Sequence, residues 1–163
     1  MEGVDLEELW NEHADAVHAY TARRAGQNAA ADIVIEVFLV AFHRTDPIPH
    51  PARPWLLGVA RNVVRHEQRA DRRRLRRESA APLHRSDQQS SPELDHVALA
   101  AIKTAVEALP HLGQEAILLV AWDQLAPGEA AIVAGCSPAA FRVRLHRARK
   151  RLARQLQHQE ALT

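Results

Sequence analysis

Residues 128–152 read GEAAIVAGCSPAAFRVRLHRARKRL. They open on small residues, turn at Gly135-Cys136, and end in a run of arginines without an acid. Small residues let two helices approach closely, and glycine is the residue best suited to a sharp turn between them. Ser137 and Pro138 then supply an N-cap and a first-turn proline for a new helix. The spacing predicts a short helix from Pro127 to about Ala134, a turn at Gly135, and a longer final helix. Ala131 is small enough for close helix contact. In the final helix Phe141, Leu145, Ala148, Leu152 and Leu156 fall on a stripe about 80° wide. Arg142, Arg144, Arg147, Arg149, Arg151 and Arg154 occupy what remains. This is the helix-turn-helix pattern, in which the N-terminal turns of the second helix reach base edges and later cations hold phosphates. A solvated basic helix is the plainer alternative, and the rest of the chain bears on the choice.

The chain has 163 residues, 47% of them hydrophobic, with only 4% aromatic and six glycines. Such alanine-rich composition favours packed helices over sheets. An all-α fold of two small helical domains joined by a flexible linker is expected. No apolar run approaches the roughly 20 residues that span a bilayer, and residues 1–15 are acidic rather than signal-like. A cytoplasmic protein without membrane insertion is the expectation. Cys136 is the single cysteine, so it offers neither an internal disulfide nor a metal-ligand spacing.

The net charge of +1 conceals a segregation. Residues 1–60 carry four arginines against nine acids, and residues 61–77 carry eight arginines against Glu67 and Asp71. Residues 78–130 hold two bases against eight acids, whereas 142–154 carry seven bases and no acid. Two basic blocks separated by acidic ground suggest two contacts with one polyanion. Lys103 and Lys150 are the only lysines; arginine favours bidentate phosphate and guanine contacts. A G+C-rich genome, which encodes arginine freely, would give the same bias.

Residues 78–92, ESAAPLHRSDQQSSP, lack apolar periodicity and read as a flexible linker between domains at 1–77 and 93–163. In the first, Leu6, Leu9, Trp10, Val17 and Tyr20 suit the inner face of a helix ending near Gly26, and Asn28 is placed to cap a second helix running to about Arg44. The proline-punctuated segment 45–54 turns the chain into a third helix from about Ala52 through Arg77. On it Leu56, Val59, Ala60, Val63 and Val64 gather on one side. Arg61, Arg65, Arg69, Arg72 and Arg76 fall within about 80° on another. Five like charges repel one another unless an anion neutralises them. On the second helix Asp32, Ile35, Glu36, Leu39 and His43 line up opposite the core face of Ile33, Val34, Val37, Phe38 and Ala41. Aliphatics framed by carboxylates suit protein docking; a helix buried on most sides reads equally well. In the second domain, helical patterns cover roughly 93–109 and 112–124.

Taken in order, these segments resemble a sigma subunit of bacterial RNA polymerase of the extracytoplasmic-function (ECF) group, which keeps only regions 2 and 4 of the sigma-70 family. LEELWNEHADAVHAYTARR (6–24), ADIVIEVFLVAF (31–42) and RPWLLGVARNVVRHEQRADRR (53–73) are similar to region 2. ALPHLGQEAILLVAWDQLAPGEAAIVAGCSPAAFRVRLHRARKRL (108–152) is similar to region 4. The resemblance implies promoter-specific initiation with no catalysis and no cofactor. It places Asp32 and Glu36, with Ile35 and Leu39, against the core polymerase clamp. Trp55, Arg61, Asn62, Arg65 and Arg69 fall near the −10 element, where unpaired bases are captured. Arg142 and Arg144 would approach bases or backbone of the −35 element, Arg147 and Arg149 its phosphates, and Ser137 would cap the helix that points at the groove. Core polymerase, promoter DNA and an anti-sigma factor are the implied partners. The chain departs from the family pattern at Ile35 (usually glutamine), Val143 (usually small and polar), Ala134 (usually leucine) and Gln114 (often arginine).

Two other readings stand beside it: a plain helix-turn-helix regulator that never joins polymerase, and a sigma-like protein that docks without starting transcription. An enzyme has least support, because no Ser/His/Asp set or carboxylate pair forms a motif. His13 and His18, five apart, lack the spacing of metal ligands on one helix face, so no metal is expected.

Overall fold

The computed structural model describes residues 5–78 and 96–162. Among them are seven helices and no strand: α1 Leu6–Ala25, α2 Gln27–His43, α3 Ala52–Arg77, α4 His96–Glu107, α5 His111–Ala121, α6 Pro127–Ala134 and α7 Pro138–Ala161. The chain divides into two compact units, residues 1–89 and 90–163. Residues 79–92 of the segment read as a linker lie outside the described residues.

In the first unit α1, α2 and α3 pack pairwise against one another. Asp5 caps α1, its carboxylate accepting the Glu7 N–H at 3.0 Å. Glu7 and Glu8 then sit at the positive end of the helix dipole and Arg23 and Arg24 at its negative end. The α1–α2 corner is a single residue, Gly26, at φ 86°. A residue with a Cβ rarely adopts that conformation, and so glycine ends one helix and starts the next. Asn28, expected as the cap of α2, lies inside the helix instead, because the Gly26 corner starts the helix early and no side chain caps it.

Val17, Tyr20, Ala30, Val37, Leu56 and Ala60 form the centre of this core, each almost wholly buried. Each large member stabilises the fold by about 1.5–3 kcal/mol relative to exposure. Thr21 is buried with them, its hydroxyl donating to the His18 carbonyl at 3.0 Å. Leu6 and Trp10, expected on the inner face, are instead exposed, although one face of Trp10 packs on Phe38 with ring centroids 4.7 Å apart. Leu9, between them, is buried, so the bundle covers only part of α1 at this end. Val59 is only half-buried, and Leu57 joins the core in addition.

In the second unit α7 packs against α4, α5 and α6. Its core draws on Leu109, Leu119, Leu125, Val133, Phe141 and Leu145. The helix expected through residue 124 stops at Ala121. The chain there turns through Gln124, at φ 55°, so that the Leu125 N–H reaches the Leu119 carbonyl at 3.1 Å and Leu125 enters the core.

Candidate nucleic-acid interface

The helix-turn-helix is built in the second unit as its residue types dictate. Ala130 and Ala131 of α6 are almost wholly buried, where any larger side chain would push the helices apart. Gly135 takes the left-handed conformation, φ 67° and ψ 35°. The Cys136 N–H reaches back to the Ala131 carbonyl at 3.1 Å, and the Gly135 N–H to that of Ile132 at 3.2 Å. This is a Schellman closure, which satisfies carbonyls left over at the helix end. Ser137 then caps α7, its hydroxyl accepting the Ala140 N–H at 3.1 Å, and Pro138 occupies the first turn.

Phe141, Leu145 and Ala148 hold α7 down, with Leu152 and Leu156 half-buried behind them. Arg142, Arg147 and Arg149 are exposed on the remaining faces. Arg144 is half-buried. It lies on the flank of the helix towards the core. The four arginines therefore do not share one direction: Arg142 and Arg144 flank the outward face on opposite sides, and Val143 stands between them.

In the first unit the predicted −10 residues ride on one continuous helix, α3, of 26 residues. Trp55, Asn62 and Arg69 follow one another at seven-residue intervals and so lie along one line of it. Arg61 and Arg65 are half-buried beside that line, whereas Asn62 and Arg69 are exposed. Buried residues of α3 end at Val64. Beyond it Arg69, Arg72, Arg73, Arg74, Arg76 and Arg77 are all exposed, with Asp71 3.7 Å from Arg74. The arginine-rich half of α3 is thus held by its own backbone rather than by a core, and its mutual repulsion is little relieved. Trp55 is half-buried, with the Arg44 guanidinium 5.0 Å from its ring centroid. In the sequence Arg44 marks only the end of the second helix, apart from both arginine blocks.

The outer face of α2 is exposed, not buried on most sides. Ile35 is 52% and Leu39 50% exposed, and Asp32, Glu36 and His43 are exposed with them. Val40 and Phe42 widen the apolar surface, Phe42 being 63% exposed. All six residues of the run VFLVAF are apolar, so the exposure of Val40 and Phe42 does not show in its pattern. Val37, Phe38 and Ala41 face inward, as their spacing predicts. Among the described residues no three of His, Cys, Asp and Glu gather as metal ligands do. None of the described helices is long and apolar enough to cross a membrane.

Comparison with known proteins matches each unit to one family region. Residues 9–74 match sigma-70 region 2, and residues 99–152 match sigma-70 region 4. The ECF RNA polymerase sigma factor EcfG of Rhodopseudomonas palustris is 30% identical over 127 residues, which cover 76% of this chain and 69% of EcfG. This chain belongs to the ECF sigma factors of RNA polymerase. Another member, BldN of Streptomyces coelicolor, is 32% identical over 91% of this chain. The chain spans 59% of BldN's length. The fold is that of the sigma factor RpoE from Bartonella quintana, solved in complex with the anti-sigma factor NepR. That structure has a TM-score of 0.66 and 22% identity, covering 94% of this chain and 97% of RpoE. The region 2 match of this ECF sigma factor thus falls on α1, α2 and α3. Its region 4 match falls on α4 to α7, helix-turn-helix included.

Proposed function

We propose that this sigma factor directs promoter-specific initiation, itself catalysing nothing. In this reading it docks on core RNA polymerase through the exposed face of α2. Region 4 is set on duplex −35 DNA through α7, and unpaired −10 bases are held along α3. The observation that carries the proposal is the coexistence of three exposed surfaces on one chain. Two are arginine-rich, one in each family region, and the third is apolar and framed by Asp32 and Glu36. A helix-turn-helix regulator needs only α6 and α7, which leaves α2 and α3 without a task.

Each surface suits its assigned task chemically. Cations on α7 displace counterions from duplex phosphates, which makes binding salt-sensitive. Along α3, Trp55 offers a stacking surface and Asn62 an amide that can hydrogen-bond a base edge, with Arg61, Arg65 and Arg69 on the neighbouring backbone. Ser137 fixes the start of the recognition helix, Arg142 and Arg144 approach bases or backbone, and Arg147 and Arg149 hold phosphate. Ile35 and Leu39 bury against the polymerase clamp while Asp32 and Glu36 meet its cations. By analogy with RpoE of Bartonella quintana, an anti-sigma factor is the regulatory partner. The chain acts where polymerase and genome meet, in the cytoplasm.

Run-off transcription tests the proposal: core polymerase from the source organism, with and without this chain, on genomic fragments that include the chain's own upstream region. Discrete start sites that appear only with the chain are expected. Stable core binding without any start site would instead identify a docking regulator, and the absence of core binding a separate DNA-binding protein.

A further inference from the structure

The outward face of α7 is not uniformly cationic at its start. At about 100° per residue, Val143 points roughly 170° from the mean direction of Phe141, Leu145 and Ala148. It is accordingly 49% exposed. Ala139, one turn earlier on the same face, is also exposed. Arg142 lies to one side of Val143 and Arg147 to the other, both exposed.

A valine here gains little from burial and is a weaker helix former than the straight-chain residues usual on a solvated face. What it offers is a rigid apolar surface, because a β-branched side chain in a helix is held in essentially one rotamer. The ligand that α7 suits is polyanionic, with seven bases and no acid over residues 142–154. The apolar group such a ligand displays in its major groove is the C5 methyl of thymine. N-terminal residues of a recognition helix are the ones that reach base edges, and Val143 is six residues into α7.

We propose that Val143, backed by Ala139, reads a thymine methyl in the −35 element. Arg142 and Arg147 set its register from either side. The inference rests on the region 4 reading above and adds a specificity-determining residue to it. Removing only the methyl, by exchange of thymine for deoxyuridine, then weakens binding about fourfold at the contacted position.

The test uses holoenzyme assembled from the full chain and core polymerase. Selection from random duplexes first yields the preferred −35 sequence. Each thymine in it is then replaced singly by deoxyuridine, and affinities are compared for the natural chain, Val143→Ala and Val143→Thr. A loss of about fourfold at one or two thymines is expected for the natural chain. That loss should vanish in Val143→Ala and persist in part in Val143→Thr, which keeps one methyl. Thermal melting of the variants, unchanged at this exposed position, separates the effect from folding. Equal deoxyuridine sensitivity in Val143→Ala, or none at any position despite salt-sensitive binding, overturns the assignment alone. Failure to assemble holoenzyme or to select any duplex overturns the underlying sigma reading as well.

Discussion

Gly113 of α5 and Ala148 of α7 meet so closely that a Cβ on Gly113 would lie 3.3 Å from the Ala148 Cβ. Ala148 is buried at this crossing, one turn from Leu145. The crossing leaves no room for a larger side chain at either position. Enlarging Ala148 therefore forces the helices apart. Ala148→Leu should destabilise the chain by about 1–3 kcal/mol, as overpacking typically does. Ala153→Leu, exposed on the same helix, is the control and should fall within about 0.5 kcal/mol of the natural chain. Urea denaturation followed by circular dichroism checks both.

The Ser137 cap separates helix stability from DNA contact. Ser137→Ala removes the acceptor of the Ala140 N–H and should cost about 1 kcal/mol. Ser137→Asp keeps an acceptor and adds a charge favourable to the dipole, so stability should hold. The same charge stands where phosphate is expected. Duplex affinity should accordingly fall for Ser137→Asp while its melting midpoint does not. Equal affinity of the Asp variant and the natural chain would take Ser137 out of the interface.

Much of this was readable from residue types whose effect is local. Gly135, Ser137 and Pro138 act within one turn of themselves, and the corner and start of α7 lie where those residues predict. Gly26 outweighed Asn28 for the same reason: a backbone conformation that demands glycine overrides a side chain that merely suits a cap. What depends on distant packing was less legible. Trp10 looks like core by spacing, yet it is covered only in part, by Phe38. The end of α5 is set by Leu125 entering the core, which periodicity within residues 112–124 does not register. The candidate surfaces lie between these cases. The arginine stripe of α3 was visible as a pattern, but only the structure shows that buried residues stop at Val64 and leave its second half on its own.

That exposed second half gives a salt-dependence prediction. Arg69 and Arg72 are both exposed, so for Arg69→Gln combined with Arg72→Gln melting should change by less than about 0.5 kcal/mol per site. If both arginines hold phosphates of the unpaired strand, the slope of log affinity against log salt should shrink by about 1.4. Fluorescence anisotropy on a pre-opened promoter fragment, titrated at several salt concentrations with holoenzyme, reads this slope directly. An unchanged slope would leave the stripe as a solvated face.

The exposed face of α2 allows the sharpest separation of fold from docking, because its two sides differ by a single helical step. Ile33 and Val34 are buried and Ile35 and Glu36 are not. Ile33→Ala empties part of the three-helix core and should cost about 2–5 kcal/mol, lowering every activity together through loss of folded protein. Ile35→Glu and Leu39→Glu place charge where the free chain is already wet, and stability should scarcely change. Against the polymerase clamp the same carboxylates would be desolvated without a partner, a penalty of several kcal/mol. Co-purification with core polymerase should therefore fail for the two glutamate variants while their melting and their binding of −35 duplex remain as in the natural chain. Retained co-purification would move the docking surface off this face.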